Sequence, residues 1–138
     1  MARNEERLTA LEKELSNARG YRCDVSDAAQ VEMVASAVEH DLGKPGVVVH
    51  NAVGGAFGTF REIDPAILNR NFQVNTMGLL YLARRFAPAM IDAGKGAIAA
   101  SPVSQVSRQP RRRSGSWPRA MARELGPRGV HIAYVVSR

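Results

Sequence analysis

Two kinds of hydrophobic spacing alternate along the chain. Leu8, Leu11 and Leu15 lie three and four residues apart among Glu, Arg and Lys, which predicts one apolar stripe on an amphipathic helix. Helical patterns return further along, and short apolar segments lie between them. The helices are predicted over residues 4–17, 27–42, 64–93 and 116–125, and the strands over residues 21–25, 46–51, 96–100 and 129–136.

Two of these segments carry specific local signals. Gly46–Asn51 contains three consecutive valines without polar alternation, which predicts a buried strand. Asp64 followed by Pro65 predicts a helix start, because Asp caps the first turn and proline fits the first helical position. The apolar face of that long helix is predicted to consist of Leu68, Phe72, Leu79, Phe86 and Met90.

The order of elements predicts the fold class. Strands separated by helices of ten or more residues are joined by right-handed crossovers and run parallel. We therefore expect an α/β fold with a parallel sheet flanked by helices. Such sheets bind ligands at the carboxyl ends of their strands. The polar residues that follow the predicted strands are Asp24, Asn51 and either Ser101 or Ser104, so chemistry is expected there.

The composition fits one small domain over residues 1–138. Apolar residues make up 45%, charged residues 23% and aromatic residues 6% of the chain. The apolar runs are far shorter than the ~20 residues that cross a bilayer, and we see no secretory leader. We therefore expect no membrane partner and a cytoplasmic location. Cys23 is the only cysteine and the three histidines lie far apart, so no disulfide and no metal site are predicted.

The formal net charge is +6, but the excess of positive charge is local. Five of the 19 Lys and Arg residues lie in Arg108–Arg119, which contains no acidic residue, so the rest of the chain is close to neutral. Residues 102–119 are rich in Arg, Ser and Pro, which predicts an irregular insert or a disordered loop. Weak nucleic-acid binding through Arg108–Arg119 is an alternative function, but phosphate attraction alone is unspecific and nucleic acid is not the partner we expect.

Five short motifs resemble one family by their order and spacing. They are Ala2–Leu8, Cys23–Ser26, Val49–Ala52, Asn71–Gly78 and Ala122–His131. They resemble five parts of the short-chain dehydrogenase/reductase family. The first three resemble, in that order, the turn after the family's second strand, its Asp-Val adenine contact and its Asn-Asn-Ala-Gly strand end. The fourth resembles the helix with the catalytic asparagine, and the fifth resembles the end of the sixth helix and the sixth strand. The resemblance implies a Rossmann-type fold and an oxidoreductase that uses NADP or NAD.

The resemblance implies a cofactor role for five residues. Asp24 and Val25 would contact the adenine, and Asn51 with the small Ala52 would form the loop beside the cofactor ribose. Arg3 stands where NADP users of the family place a cation against the 2′-phosphate, and a guanidinium binds phosphate oxygens well. No acidic residue precedes Arg3 to favour a 2′-hydroxyl, so NADP is favoured over NAD.

The resemblance also implies two catalytic positions. Asn75 matches the asparagine that holds a helix kink open for a proton-relaying water, and Ser104 is the best match to the serine that orients the substrate, with Ser101 second. The activity of the lineage is hydride transfer between the nicotinamide and a small-molecule alcohol or carbonyl. Its long helices build subunit interfaces, so a homo-oligomer is a possible state.

Two parts of the family pattern do not occur in this sequence. It has no glycine-rich turn for the pyrophosphate, and no tyrosine is followed four residues later by lysine. We therefore interpret the chain as an incomplete domain without the first two strands, and expect marginal stability and no turnover. The strand at 21–25 would then have no neighbour.

Two further hypotheses follow from these departures. Residues 102–119 stand where the family has its catalytic segment, so we interpret them as out-of-frame or rearranged sequence, which resequencing the gene tests. The alternative function is a non-catalytic module that pairs with intact subunits of the family.

Overall fold

The computed structural model describes residues 1–55, 58–59, 61–100 and 116–134. In chain order the elements are α1 (Glu5–Glu14), α2 (Ala28–Leu42), β1 (Val47–His50), α3 (Pro65–Phe72), a π-helical turn (Gln73–Met77), α4 (Gly78–Asp92), β2 (Gly96–Ala100), α5 (Ser116–Leu125), a 3-10 turn (Gly126–Arg128) and β3 (Val130–Tyr134). Of the predicted irregular segment, residues 102–115 lie outside the described residues, and the remaining four belong to α5.

The three strands form one parallel sheet in the order β1-β2-β3. Val47 pairs with Ala97, and Ala97 pairs with His131, so the strands are in register across the sheet. Helices connect successive strands, as parallel pairing requires. The predicted α/β fold class, a Rossmann-type sheet with flanking helices, is confirmed.

The core lies between the sheet and helices α2 and α4. Helix α4 supplies more of its side chains than any other described element, because its apolar residues recur at helical spacing on the face toward the sheet. The buried apolar residues are Cys23 before α2, Val31, Val34 and Ala35 of α2, Leu79, Leu82, Ala83, Phe86, Ala87 and Met90 of α4, Val48, Ile98, Ala100 and Val130 of the sheet, and Met121 and Leu125 of α5.

Strand β1 is buried on one face only, so the prediction of a fully buried strand was wrong. Val48 and His50 point toward α4 and are buried, whereas Val47 and Val49 are 63% and 62% exposed. Successive side chains of a strand point to opposite faces, and α4 is the helix that packs against β1. The three valines therefore do not share one environment.

The predicted strand at 21–25 is reduced to a single parallel bridge between Ala2 and Arg22. Ala2 donates its N–H to the Tyr21 carbonyl at 3.1 Å and accepts from the Cys23 N–H at 3.0 Å. This segment therefore has a neighbour, and our expectation that it would have none was wrong. The bridge stays short because α1 begins at Glu5, only three residues after Ala2.

The long helix predicted over 64–93 is interrupted by the π-helical turn. The turn adds a residue to one helical revolution and so shifts the phase of the residues before it relative to those after it. Leu79, Phe86 and Met90 are buried as predicted, but Leu68 and Phe72 of α3 are 46% and 50% exposed. The single apolar face that the sequence predicts is therefore split.

Two further findings concern membrane crossing and metal binding. Within the described residues, no helix has the length and apolarity to cross a membrane. Among the same residues, no three His, Cys, Asp or Glu side chains are grouped as metal ligands would be.

Candidate cofactor groove

A groove of about 730 Å³ opens beside strand β1 and brings the predicted cofactor residues together. One wall is formed by β1 and the loop after it, and the other by the first residues of the chain with the segment around Cys23. All five residues with a predicted cofactor role line this groove, namely Arg3, Asp24, Val25, Asn51 and Ala52.

Gly78 determines how closely the two walls approach at the end of the groove where strand β1 ends. We call this the carboxyl end of the groove. A Cβ atom added to Gly78 would lie 3.0 Å from the carbonyl oxygen of Val25 and 3.3 Å from Cε1 of His50. Residues at the ends of both chain segments therefore meet at the first turn of α4. This places Asp24 and Asn51, each adjacent to one of these contacts in sequence, at the same end of the groove.

Asp24 is held as an ionised hydrogen-bond acceptor. Its Oδ1 accepts from the Ser26 hydroxyl at 2.6 Å and from the Ser26 N–H at 3.0 Å, while its own N–H donates to Gln30 Oε1 at 3.0 Å. These hydrogen bonds from Ser26 lower the pKa of the Asp24 carboxyl, and the charges of Arg3 and Arg70 lower it further. Because both bonds use Oδ1, Oδ2 is left to accept from a ligand.

Arg70 is a groove cation that the sequence reasoning did not identify. It lies on α3 and lines the groove together with Arg3, and both are close enough to Asp24 to influence its charge. Only the tertiary structure brings these two arginines, 67 positions apart in sequence, to one place. No spacing in the sequence signals it.

Asn75 lies in the π-helical turn and holds the loop after β1. Its Oδ1 accepts from the Gly54 N–H at 2.8 Å, and its Nδ2 donates to the Gly54 carbonyl at 3.0 Å. A Cβ atom at Gly54 would also collide with the side chain of Asn71. Asn75 therefore positions the loop that carries Asn51 and Ala52. The relay role that the family resemblance implies for Asn75 stays a prediction.

His50 is the buried polar residue at the base of this site. It is 4% exposed, and its Nε2 has no hydrogen-bond partner among the described residues. Burial lowers the pKa of the imidazole, and the backbone of Val74 and Asn75 opposes that effect only in part. The ring is therefore neutral at physiological pH. The sequence shows that a histidine ends β1, but not that the ring faces the core.

Two predictions fall on residues that the structure does not describe. Ser104, the candidate catalytic serine, and its alternative Ser101 lie in the segment 101–115, as do the arginines at 108, 111, 112 and 113. Their roles in catalysis and in nucleic-acid binding stay predictions from the sequence. Arg119, the fifth arginine, is exposed on α5.

The comparison with known families agrees with this geometry. The family model for short chain dehydrogenases matches residues 1–114. The chain belongs to this family. The resemblance deduced from the five motifs is thereby confirmed, and with it the expectation of an oxidoreductase lineage.

Individual relatives match over part of their length. The D-threitol dehydrogenase of Mycolicibacterium smegmatis is 30% identical over 80 residues, which are 58% of this chain and 31% of that enzyme. The NADPH-dependent pterin aldehyde reductase of Arabidopsis thaliana is 29% identical over 106 residues, which are 70% of this chain and 42% of that enzyme. The chain thus spans less than half the length of either curated relative.

Solved structures match the whole fold of the chain. A metagenomic short-chain oxidoreductase in complex with NADP has a TM-score of 0.82 and 28% identity, over 97% of this chain and 67% of that one. A short-chain dehydrogenase from Streptomyces avermitilis has a TM-score of 0.83 at 22% identity, over 99% of this chain and 61% of that one. The second likeness supports the fold alone.

Proposed function

We propose that this chain binds a nicotinamide dinucleotide at the carboxyl end of the groove, with NADP favoured over NAD. The observation that carries the proposal is the meeting of Arg3, Asp24, Val25, Asn51 and Ala52 in one groove. These residues come from three separate parts of the sequence, and parallel α/β sheets bind ligands at this end of their strands.

The chemistry of the groove fits the adenosine half of such a cofactor. Asp24 offers an ionised oxygen to an amino or hydroxyl donor. Arg3 and Arg70 offer guanidinium groups to a phosphate, which they bind more strongly than neutral donors do. A solved relative of the same family is in complex with NADP, which supports the choice of cofactor class.

In the family as a whole, the bound cofactor would supply hydride transfer to or from a small alcohol or carbonyl. In this chain Tyr21, Tyr81 and Tyr134 are followed four residues later by Val25, Arg85 and Arg138 instead of lysine. We therefore propose nucleotide binding without appreciable turnover, in a cytoplasmic setting. Oxidation of an alcohol with added NADP, above the rate of a heat-denatured blank, would contradict the absence of turnover.

The binding proposal is tested by calorimetry with NADPH and NADH on the full chain and on matched variants. Arg3→Gln removes the proposed phosphate contact, and we expect NADPH binding to weaken about tenfold with little change for NADH. Arg22→Gln is the control, because Arg22 is exposed next to the same bridge but does not line the groove. Absence of NADPH binding would overturn the proposal, and equal losses for both nucleotides would overturn the preference for NADP.

An exposed apolar surface favours a second candidate function, pairing with another subunit. Ile67, Leu68 and Phe72 on α3 are 48%, 46% and 50% exposed. We propose that this surface docks on a second subunit of the family. Light scattering after size exclusion is expected to show that the parent chain has a mass above that of a monomer. Leu68→Glu is expected to reduce this mass to that of a monomer, whereas Asn69→Glu on the same exposed helix is expected to leave it unchanged. A monomer in both variants and in the parent chain, alone and mixed with a full-length relative, would exclude the pairing.

A further inference from the structure

Three polar side chains contact Asp41 near the carboxyl-terminal end of α2. The Tyr21 hydroxyl donates to Asp41 Oδ2 at 2.9 Å, and Arg19 Nε lies 3.4 Å from the same oxygen. His40 Nδ1 lies 2.9 Å from Oδ1. The bonds from His40 and Tyr21 lower the pKa of the Asp41 carboxyl, so this group is ionised at neutral pH. A helix disfavours a negative charge at this end, and the side chains that reach Asp41 offset that cost.

Tyr21 connects Asp41 to the first residues of the chain. Its hydroxyl binds Asp41, and its carbonyl accepts from the Ala2 N–H at 3.1 Å. The Ala2 carbonyl accepts in turn from the Cys23 N–H at 3.0 Å. Arg3 follows Ala2 directly and lines the groove. A continuous series of hydrogen bonds and covalent bonds therefore leads from Asp41 to Arg3.

The first residues depend on these bonds because little apolar burial holds them. Met1, Ala2 and Arg3 are exposed, and helix α1, which follows them, has no buried residue. Segments with few buried apolar contacts open locally at a low cost in free energy. Loss of the hydrogen bond between Tyr21 and Asp41 is therefore expected to move Arg3 away from the groove in part of the population.

The position of Arg3 matters for the nucleotide that the groove is proposed to bind. Hydrogen bonds from Ser26 lower the pKa of the Asp24 carboxyl, and the charge of Arg3 adds to them, so Arg3 lies on the Asp24 side of the groove. A cation has to stay there to distinguish a 2′-phosphate from a 2′-hydroxyl. When only a fraction of the molecules is competent to bind, the apparent affinity falls by that fraction.

We propose that Asp41 is a positioning residue for nucleotide discrimination. Asp41 holds Tyr21, Tyr21 holds Ala2, and Arg3 is thereby kept at the groove. Asp41 itself does not line the groove, so it acts without touching the nucleotide. The effect on nucleotides rests on the proposed function, whereas the hold on Ala2 rests on the hydrogen bonds alone.

Hydrogen exchange tests the hold on Ala2 without any nucleotide. The probes are the amides of Ala2 and Cys23, which form the bridge. Asp41→Ala and Tyr21→Phe each remove the bond between these two side chains, and each is expected to speed exchange of both amides about fivefold. Tyr21→Phe keeps the ring, which packs against the core. Asp41→Asn keeps a side-chain oxygen that accepts from Tyr21 and is expected to restore slow exchange.

Calorimetry with NADPH and NADH tests the effect on discrimination. Asp41→Ala is expected to weaken NADPH binding about fivefold, with little change for NADH. In the Arg3→Gln background the same substitution is expected to have no further effect, because the cation is already lost. Asp92→Ala is the matched control and is expected to change neither affinity, since Asp92 is an exposed carboxylate at the end of α4 and does not line the groove. A general loss of stability would weaken both nucleotides equally, so the ratio of the two affinities separates positioning from stability.

Three results would overturn the inference. They are exchange at the parent rate for Ala2 and Cys23 in Asp41→Ala, equal weakening of both nucleotides, and a further loss of NADPH affinity when Asp41→Ala is added to Arg3→Gln. A parent chain that binds neither nucleotide overturns the proposed function instead, and the exchange rates then still decide whether Asp41 holds the bridge at Ala2.

Discussion

Replacing Asn75 with alanine removes both hydrogen bonds that hold Gly54 against the π-helical turn. The two bonds measure 2.8 and 3.0 Å and are partly buried. Each such bond contributes about 0.5 to 1.5 kcal/mol, so Asn75→Ala is expected to lower the free energy of unfolding by about 1 to 3 kcal/mol. The loop that carries Asn51 and Ala52 also loses its anchor, so NADPH affinity is expected to fall with stability.

Two measurements check this expectation. Urea unfolding followed by circular dichroism gives the free energy of unfolding, and hydrogen exchange gives the protection of the Gly54 amide, which is expected to exchange at least tenfold faster in the variant. Asn71→Ala is the matched control, because Asn71 lies where a Cβ atom on Gly54 would point, whereas both side-chain hydrogen bonds described for Gly54 come from Asn75. A Gly54 amide that exchanges at the parent rate in Asn75→Ala would refute the reasoning.

Two further predictions concern the buried ring of His50 and the ion pairs of Arg85. Because burial lowers the pKa of His50 in the folded chain, the unfolded chain binds more protons, so stability is expected to fall as pH drops below about 6.5. His50→Leu should remove that dependence in urea titrations at pH 5 and pH 7, and an unchanged dependence would contradict it. Arg85 joins α4 to α2 through Glu39, at 2.7 and 3.0 Å, and Glu32, at 3.0 Å. Arg85→Ala is expected to lower the melting temperature, with a loss in the free energy of unfolding of about 1 kcal/mol after screening by solvent. Arg85→Lys is expected to lose less of that free energy. Equal melting temperatures for the parent chain and both variants would disprove the role of the ion pairs.

Local signals in the sequence were sufficient to predict most elements of the fold. Asp64 caps α3 through a side-chain oxygen, as the sequence predicts, and Asp27 caps α2 in the same way. The parallel sheet follows from the alternation of helices and strands. These features depend on residues a few positions apart, which is why the sequence reveals them.

The errors arose where distant parts of the chain decide the outcome. The exposure of Val47 and Val49 depends on which face of β1 α4 covers, and that cannot be deduced from three consecutive valines. The bridge at Ala2 depends on a partner 20 positions away. Local spacing also gave no signal for the π-helical turn, although the motif at Asn75 marked its position.

The residues of the candidate site also fall into those that local sequence motifs identify and those that they do not. The five cofactor positions could be named from short motifs because each motif is local. Arg70 and the buried ring of His50 could not, because the first depends on how α3 packs beside the groove and the second on which side of β1 faces the core. That Ser104 belongs to this site stays a prediction.

Helix α1 has no buried residue, and Leu11 within it and Leu15 just after it are each 47% exposed. Its contacts with the rest of the chain include the bond from the Gly20 N–H to Glu12 Oε1 at 2.6 Å, and the bridge at Ala2 lies just before it. Limited digestion should therefore release the first 20 residues while the hydrophobic interior survives. Arg3 would leave with that fragment, so proteolysis is expected to remove the residue proposed to discriminate between two nucleotides.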